Sequence, residues 1–305
     1  QNVVLGEGID GILGYTVRLL VAPGDAVVTS DGAYPTFNYH VHGYGGVLHQ
    51  VPFRDDHEDI DALLDKAREV EAKLVYLSNP DNPMGSWHSG EVIEKALDRI
   101  PDGTLLVLDE AYIEFAPDGT APRIDPEDPR VVRMRTFSKG YGLAGARVGY
   151  AVGAQPLIRA YDKVRNHFGM NRAAQIGALA ALQDDTWIEE VVGLVGAAKE
   201  RIGTIAKASG VTALPSAANF VAVDLGRDGD YARAVLKALI AEGVGSTSFG
   251  GEWDTAAEGE AIQRNGHRLA AGFQFAQRLV ERKAAIELRL FQLCFGHVRR
   301  RLSGA

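Results

Sequence analysis

The chain has 305 residues, 46% hydrophobic and 24% charged, with a formal net charge of −8. Such a composition describes a soluble globular protein with enough chain for one large or two smaller domains, and its acidic balance argues against nucleic acid as a partner. One cysteine, Cys294, excludes an internal disulfide and a cysteine-rich zinc site, so a reducing compartment, the cytoplasm, is expected.

No apolar run is long enough to cross a bilayer, and no signal pattern opens the chain, so no membrane partner is expected. The sequence begins at Gln1 rather than Met, which predicts a lost or processed N-terminus. Apolar residues 3–5 form a predicted strand and run into Gly6-Glu7-Gly8-Ile9-Asp10-Gly11; a helical period then covers about 12–22 and stops at Pro23-Gly24. A glycine-rich turn before a helix presents N–H groups to an anion, although a plain strand-to-helix turn reads the same way. Strands are predicted at 25–30 and 47–52, with Gly32-Ala33-Tyr34-Pro35-Thr36 turning into a helix between them. Ile60, Leu63, Leu64 and Ala67 mark a helix over 60–70. Residues 74–78 read as a buried strand that ends in the sharp loop Asn79-Pro80-Asp81-Asn82-Pro83-Met84-Gly85.

Ser89 is predicted to cap a helix running to about Arg99, and a strand at 104–108 ends on Asp109. Strands at 131–136 and 148–152 flank a loop that carries Lys139 among small residues and glycines. From about residue 155 the chain turns helical, over 155–164, 172–182 and 187–208, followed by a strand at 219–224 and a helix at 231–242. Residues 245–266 read as a polar, glycine-rich loop, and 273–302 as a helix ending in a solvated Arg299-Arg300-Arg301. Repeated strand–helix alternation predicts an α/β protein with a mainly parallel sheet, helices on both faces and ligands at the strands' carboxyl ends. The expected division is a large α/β domain over 1–185 and a smaller C-terminal α+β domain over 186–305 that includes a connecting helix.

The singled-out residues gather at those strand ends. A lysine in a closed pocket is an amine nucleophile toward carbonyls once desolvation and a nearby cation lower its pKa. Asp109 ends an apolar strand, where a carboxylate is costly without a cationic partner. Tyr112 and Asn82 offer donors to an oxygen, Tyr34 an aromatic face, and the Gly8-Ile9-Asp10 turn with Thr136 and Arg147 an anion cradle. Together these suit an aromatic nitrogen heterocycle bearing an aldehyde and a phosphate; no metal is called for. Each has an ordinary explanation as well: a helix cap for Asp109, core packing for Tyr112 and Tyr34, a turn residue for Asn82, a structural ion pair for Arg147.

Asp109-Glu110-Ala111-Tyr112-Ile113-Glu114-Phe115, Thr136-Phe137-Ser138-Lys139 and Ala144-Gly145-Ala146-Arg147-Val148-Gly149-Tyr150 resemble the class I/II pyridoxal-phosphate aminotransferases of fold type I, and within them the histidinol-phosphate aminotransferase branch. Asn79 to Gly85 is similar to that family's Asn-Pro-x-Asn-Pro-x-Gly loop, Ala33-Tyr34-Pro35 to its ring-stacking element, and Ser216-Ala217-Ala218-Asn219-Phe220 to its small-domain strand.

The resemblance implies pyridoxal 5'-phosphate as cofactor, with Lys139 as Schiff-base lysine and general base. It implies Asp109 on the ring nitrogen, Tyr112 and Asn82 on the phenolic oxygen, and Tyr34 on the ring. The phosphate falls to Gly8, Ile9, Asp10, Thr136, Ser138 and Arg147. Substrates would be an L-amino acid or amino-phosphate and a 2-oxo acid, in a homodimer, with Asn82 on the substrate side as well. A family arginine for the substrate carboxylate fits Arg268 in Arg268-Leu269-Ala270-Ala271-Gly272, where Ala270 stands at a position usually Ser or Thr. The family's N-terminal arm and first helices are absent from this sequence, and the flanks from Val244 onward match poorly, as in a chimeric or frameshifted end. The same apparatus also serves decarboxylases of the threonine-phosphate type, and a truncated, non-catalytic relative is the third reading.

Overall fold

The computed structural model describes residues 1–241, 247–248 and 268–271. The chain divides into two compact units, one of residues 1–82 and 86–185, the other of Pro83–Gly85 with the chain from Thr186 onward.

In the first unit the elements run β1 Val3–Gly6, α1 Gly8–Leu20, β2 Ala26–Ser30, α2 Thr36–Gly43, β3 Val47–Val51, α3 Ile60–Glu69, β4 Leu74–Ser78, α4 Gly90–Leu97, β5 Leu105–Asp109, β6 Val131–Thr136, β7 Gly149–Val152, α5 Gln155–Tyr161 and α6 Arg172–Leu182. The strands make one seven-stranded sheet, ordered β1-β7-β6-β5-β4-β2-β3. Strands β2 to β6 pair in parallel, while β7 runs antiparallel to both β6 and β1.

Both central strands, β4 and β5, are buried at every residue. Such unbroken apolar runs belong to parallel sheets covered on two faces. Leu74, Tyr76, Leu105 and Val107 pack with Ile12, Leu13 and Val17 of α1, Phe37 and Val41 of α2, and Ile158 and Tyr161 of α5. The alternate residues Val75, Leu77, Leu106 and Leu108 pack with Leu63, Leu64 and Ala67 of α3 and Ile93, Ala96 and Leu97 of α4. Each such fully buried aliphatic side chain contributes about 2 kcal/mol relative to exposure. The strand period of two therefore decides which polar ends meet: Tyr76 and Ser78 of β4 share a face with Asp109 of β5, which is in register with Ser78.

Local chemistry fixes the helix starts. Asp59 caps α3 by accepting from Ala62 N, and Asn171 caps α6 by accepting from Ala174 N. Ser89 occupies the N-cap of α4 but makes no side-chain capping bond; Gly90 N donates to Gly119 O across the loop, and Val92 N donates to the Ser89 carbonyl. α1 begins at Gly8 rather than near residue 12, so the glycine turn is already the first helical turn.

In the second unit α7 continues from Asp185 to Ala208, followed by β8 Thr212–Ala213, β9 Val221–Asp224, α8 Gly229–Ala241, β10 Thr247–Ser248 and β11 Arg268–Ala271. Its strands form a sheet ordered β10-β11-β9-β8. β8, β10 and β11 were not expected: two to four residues are too few to show a period of two. The predicted helix over 273–302, most of the loop over 245–266, and Cys294 lie outside the described residues.

Glu114 sits in the 3₁₀ turn Ile113–Phe115, with Oε2 buried and without a hydrogen-bond partner. Burial pushes its carboxyl from 4.5 up to about 7, against the pull of Arg135. The folded chain thus keeps a proton that the unfolded chain releases between those values, and stability drains away as pH rises through that window. Glu114→Gln is therefore expected to match the wild type near pH 4 and to gain up to about 3 kcal/mol over it by pH 8. Denaturant unfolding of both proteins across pH checks this; a constant difference would refute it.

Candidate active site

The carboxyl ends of β4, β5 and β6 and the first turn of α1 enclose a cavity of about 220 Å³. Ile9 and Asp10 line it from α1, and Tyr34 from the turn before α2. Tyr76, Ser78 and Asn82 reach it from β4 and its loop, Asp109, Ala111 and Tyr112 from β5 and its turn. Thr136, Ser138, Lys139, Ala144 and Arg147 close it between β6 and β7. The first unit supplies every one of these residues.

Asp109 is 3% exposed. Its Oδ2 accepts from the Tyr76 hydroxyl at 2.8 Å and its Oδ1 from Ala111 N at 2.9 Å. Burial pushes the carboxyl up to about 6, against those two hydrogen bonds. The next residue shows the contrast. Glu110, on the other face, is held by Arg133 at 2.7 Å and Arg135 at 2.9 Å, whereas among the described residues no Lys, Arg or His comes within 4 Å of Asp109.

Lys139 Nζ lies 4.9 Å from the Tyr112 ring centroid, and Asn82 Nδ2 donates to the Tyr112 hydroxyl at 3.2 Å. The lysine's charge state corrects the expectation of a lowered pKa. Burial does pull it down, but Tyr112, Tyr34 and Asp109 together outweigh burial and hold it above 10.5. Arg147 lines the same cavity and is engaged with Asp10, Ser138 and the Ala144 carbonyl. Tyr34 lines the opposite wall with its hydroxyl 3.5 Å from Asp10 Oδ1, and burial raises its pKa.

At the α1 end no side chain caps the helix, so its first N–H groups remain to meet an anion. Arg147 has a left-handed backbone, φ 54° and ψ 59°. This sends its guanidinium to Asp10 Oδ2 at 3.4 Å and Ser138 Oγ at 3.5 Å, with Nη1 donating to Ala144 O at 3.0 Å. A non-glycine residue in that conformation costs about 1 kcal/mol and is retained where neighbours over-determine it. Thr136 Oγ1 and Ser138 Oγ lie 2.9 Å apart beside it. Gly8 is required by its positive φ of 79°, and Gly149 by close approach: a Cβ on Gly149 would meet Gly8 C at 2.8 Å and Ile9 N at 2.9 Å.

This donor set fits the expected cofactor. A buried carboxylate without a cation suits a protonated ring nitrogen, and an uncapped helix start beside a guanidinium and two hydroxyls suits a phosphate. Gly8 stands behind this cradle rather than in the cavity lining. Arg268 opens β11 opposite Asp224; its side chain lies outside the described residues. Tyr76 and Ser78 were missed. The available signal was period two in Leu74-Val75-Tyr76-Leu77-Ser78, which puts a hydroxyl-bearing ring on the face that ends at Asp109.

A family model described as aminotransferase class I and II matches residues 1–250. The chain belongs to that family, whose members are pyridoxal-phosphate enzymes of fold type I. Among its relatives, a histidinol-phosphate aminotransferase of Carboxydothermus hydrogenoformans is 34% identical over 73% of this chain and 62% of its own length. One from Mesorhizobium japonicum is 36% identical over 80% of this chain and 67% of its own length. The chain thus spans roughly two thirds of the length of the curated relatives it matches. The crystal structure of histidinol-phosphate aminotransferase from Sinorhizobium meliloti in complex with pyridoxal-5'-phosphate is similar at a TM-score of 0.84, with 46% identity, over 92% of this chain and 76% of that one.

Proposed function

We propose that this chain moves an amino group between an L-amino acid or amino-phosphate, of the histidinol-phosphate or aromatic kind, and a 2-oxo acid, with pyridoxal 5'-phosphate held at Lys139. The observation that carries the reading is one cavity in which a buried carboxylate lacking a cation, a buried lysine and an uncapped helix start all converge. The bound cofactor supplies an electron sink that makes the substrate's Cα proton labile.

The chain's residues do the rest. Asp109 would keep the ring nitrogen protonated. Tyr112, already oriented by Asn82, would donate to the phenolic oxygen, and Tyr34 would cover the ring. The N–H groups of Ile9 and Asp10, with Thr136, Ser138 and Arg147 and with Gly8 behind them, would hold the phosphate. Lys139 Nζ would hold the cofactor through its aldehyde, with loss of water, and, once freed, would be the amine placed to collect and return the substrate's Cα proton. Asn82 also faces substrate, and Arg268 binds its carboxylate, a role supported by the Arg-x-x-x-Gly spacing.

In this reading residues 1–185 are the cofactor-binding domain and 186–305 the small domain. The protein works as a cytoplasmic homodimer. Support for self-association is the exposed apolar set Ile176, Leu179 and Leu182 on α6, with Phe168 preceding it; a monomeric mass by light scattering would remove it. Among the described residues no helix is long and apolar enough to cross a membrane.

A donor panel on the cofactor-loaded protein tests the function. With 2-oxoglutarate as acceptor, at least one amino acid or amino-phosphate is expected to give its oxo product catalytically. Carbon dioxide without oxo product would assign decarboxylation instead, and no turnover with any donor would leave a non-catalytic relative.

A further inference from the structure

Strands β2 and β4 are neighbours, yet they pair only at Val27–Leu74 and Val28–Val75 and separate before their carboxyl ends. Glu58, in the segment before α3, fills the gap. It is 1% exposed. Its Oε2 accepts from Ser30 Oγ, at the end of β2, at 2.6 Å, and its Oε1 accepts from Ser78 N, at the end of β4, at 2.8 Å. The carboxylate thus replaces the ladder partner that Ser78 lacks on that side. Asp81, itself buried, hydrogen-bonds the same carboxyl.

The backbone of Glu58 holds the loop from a second direction. Its carbonyl accepts from His88 Nε2 at 2.8 Å, while Asn79 pairs with His88 through both Oδ1 and Nδ2. Burial keeps His88 below the usual imidazole range, so the neutral ring serves as donor. Asn82, the residue that orients Tyr112 in the cavity, follows Asp81 directly.

Two carboxyl groups in contact need a proton between them. The groups bearing on Glu58 are Ser30 from β2, Ser78 and Asp81 from β4 and its loop, and Asp109 from β5; among the described residues no ammonium or guanidinium pairs with it. Burial, reinforced by Asp109, pushes Glu58 up to about 7 despite the hydrogen bonds with Ser30, Ser78 and Asp81, each of which favours its ionised form.

We propose that Glu58 is a positioning residue: with Asp81 it forms a buried acid pair that shares one proton, closes the gap between β2 and β4, and fixes the loop that presents Asn82 to Tyr112. The functional consequence rests on the cofactor reading above; the proton and the loop anchoring do not.

The test compares wild type, Glu58→Gln and Glu58→Ala by infrared spectroscopy of the protein without cofactor, amide hydrogen exchange over residues 78–82, and titration with pyridoxal phosphate. At pH 6 the wild type is expected to show an un-ionised carboxyl component that Glu58→Gln lacks. The glutamine still donates to Asp81 and accepts from Ser78 N, so exchange and cofactor affinity should stay within about threefold of wild type. Glu58→Ala removes both contacts and is expected to accelerate exchange and weaken binding about tenfold or more. Should that variant not fold, Glu58→Asp, one methylene short of both partners, gives the same comparison. An unchanged carboxyl spectrum in Glu58→Gln overturns the shared proton, and equal exchange in the glutamine and the truncated variant overturns the positioning role. A wild type that fails to bind pyridoxal phosphate overturns the cofactor reading, while spectrum and exchange still decide this one.

Discussion

Lys139→Ala is expected to abolish amino transfer, by at least about 10⁴-fold, because one amine serves both as nucleophile and as proton carrier. The structure leaves no substitute: among the described residues lining the cavity, Lys139 is the lysine, and a guanidinium does not serve as an amine nucleophile. Borohydride treatment of the wild type with pyridoxal phosphate should fix the cofactor mass on the peptide containing Lys139, and the variant should carry none. Cofactor fixed elsewhere, or turnover surviving in Lys139→Ala, would defeat the assignment. The charge state adds a pH signature. Because the amine is held above the ordinary lysine value, little of it is free at neutrality, so the rate of covalent capture should climb with pH rather than level off near 7.

Asp109→Asn is expected to lower kcat/KM by about 10³-fold while leaving the chain folded. An amide of the same shape still accepts from Tyr76 or Ala111 but cannot hold a cationic ring nitrogen, and losing one partner of a buried ion pair costs about 4 kcal/mol. Glu110→Gln is the internal control. That carboxylate is satisfied by Arg133 and Arg135 on the opposite face, so its loss should show in thermal unfolding and not in the cofactor's absorbance. Equal kinetic losses in both variants would mean that Asp109 acts through packing alone.

Much of this site was legible in the residues. Lys139, Asp109, Asn82, Tyr34 and Arg147 each follow a strand or open a turn, and in an alternating α/β chain the strand ends must gather on one edge. Tyr76 and Glu58 were not legible. Tyr76 sits inside an apolar run and reads as core; its hydroxyl matters only because register places it under Asp109. Glu58 lies in the charged stretch Asp55-Asp56-His57-Glu58-Asp59, which looks solvated, yet it is the residue that turns inward to fill a gap between strands that no linear pattern reveals.

The sequence by itself determined the element order of the first unit, the two apolar faces of its sheet, and the chemical types that meet at its carboxyl edge, because periodicity and turn residues act locally. Only the tertiary structure decided the electrical state of those groups. Lys139 is held charged rather than made more acidic, Asp109 has no cation within 4 Å among the described residues while Glu110 has two, and Glu58 is pushed toward its protonated form. These outcomes depend on burial and on charges from distant segments, which packing alone brings together.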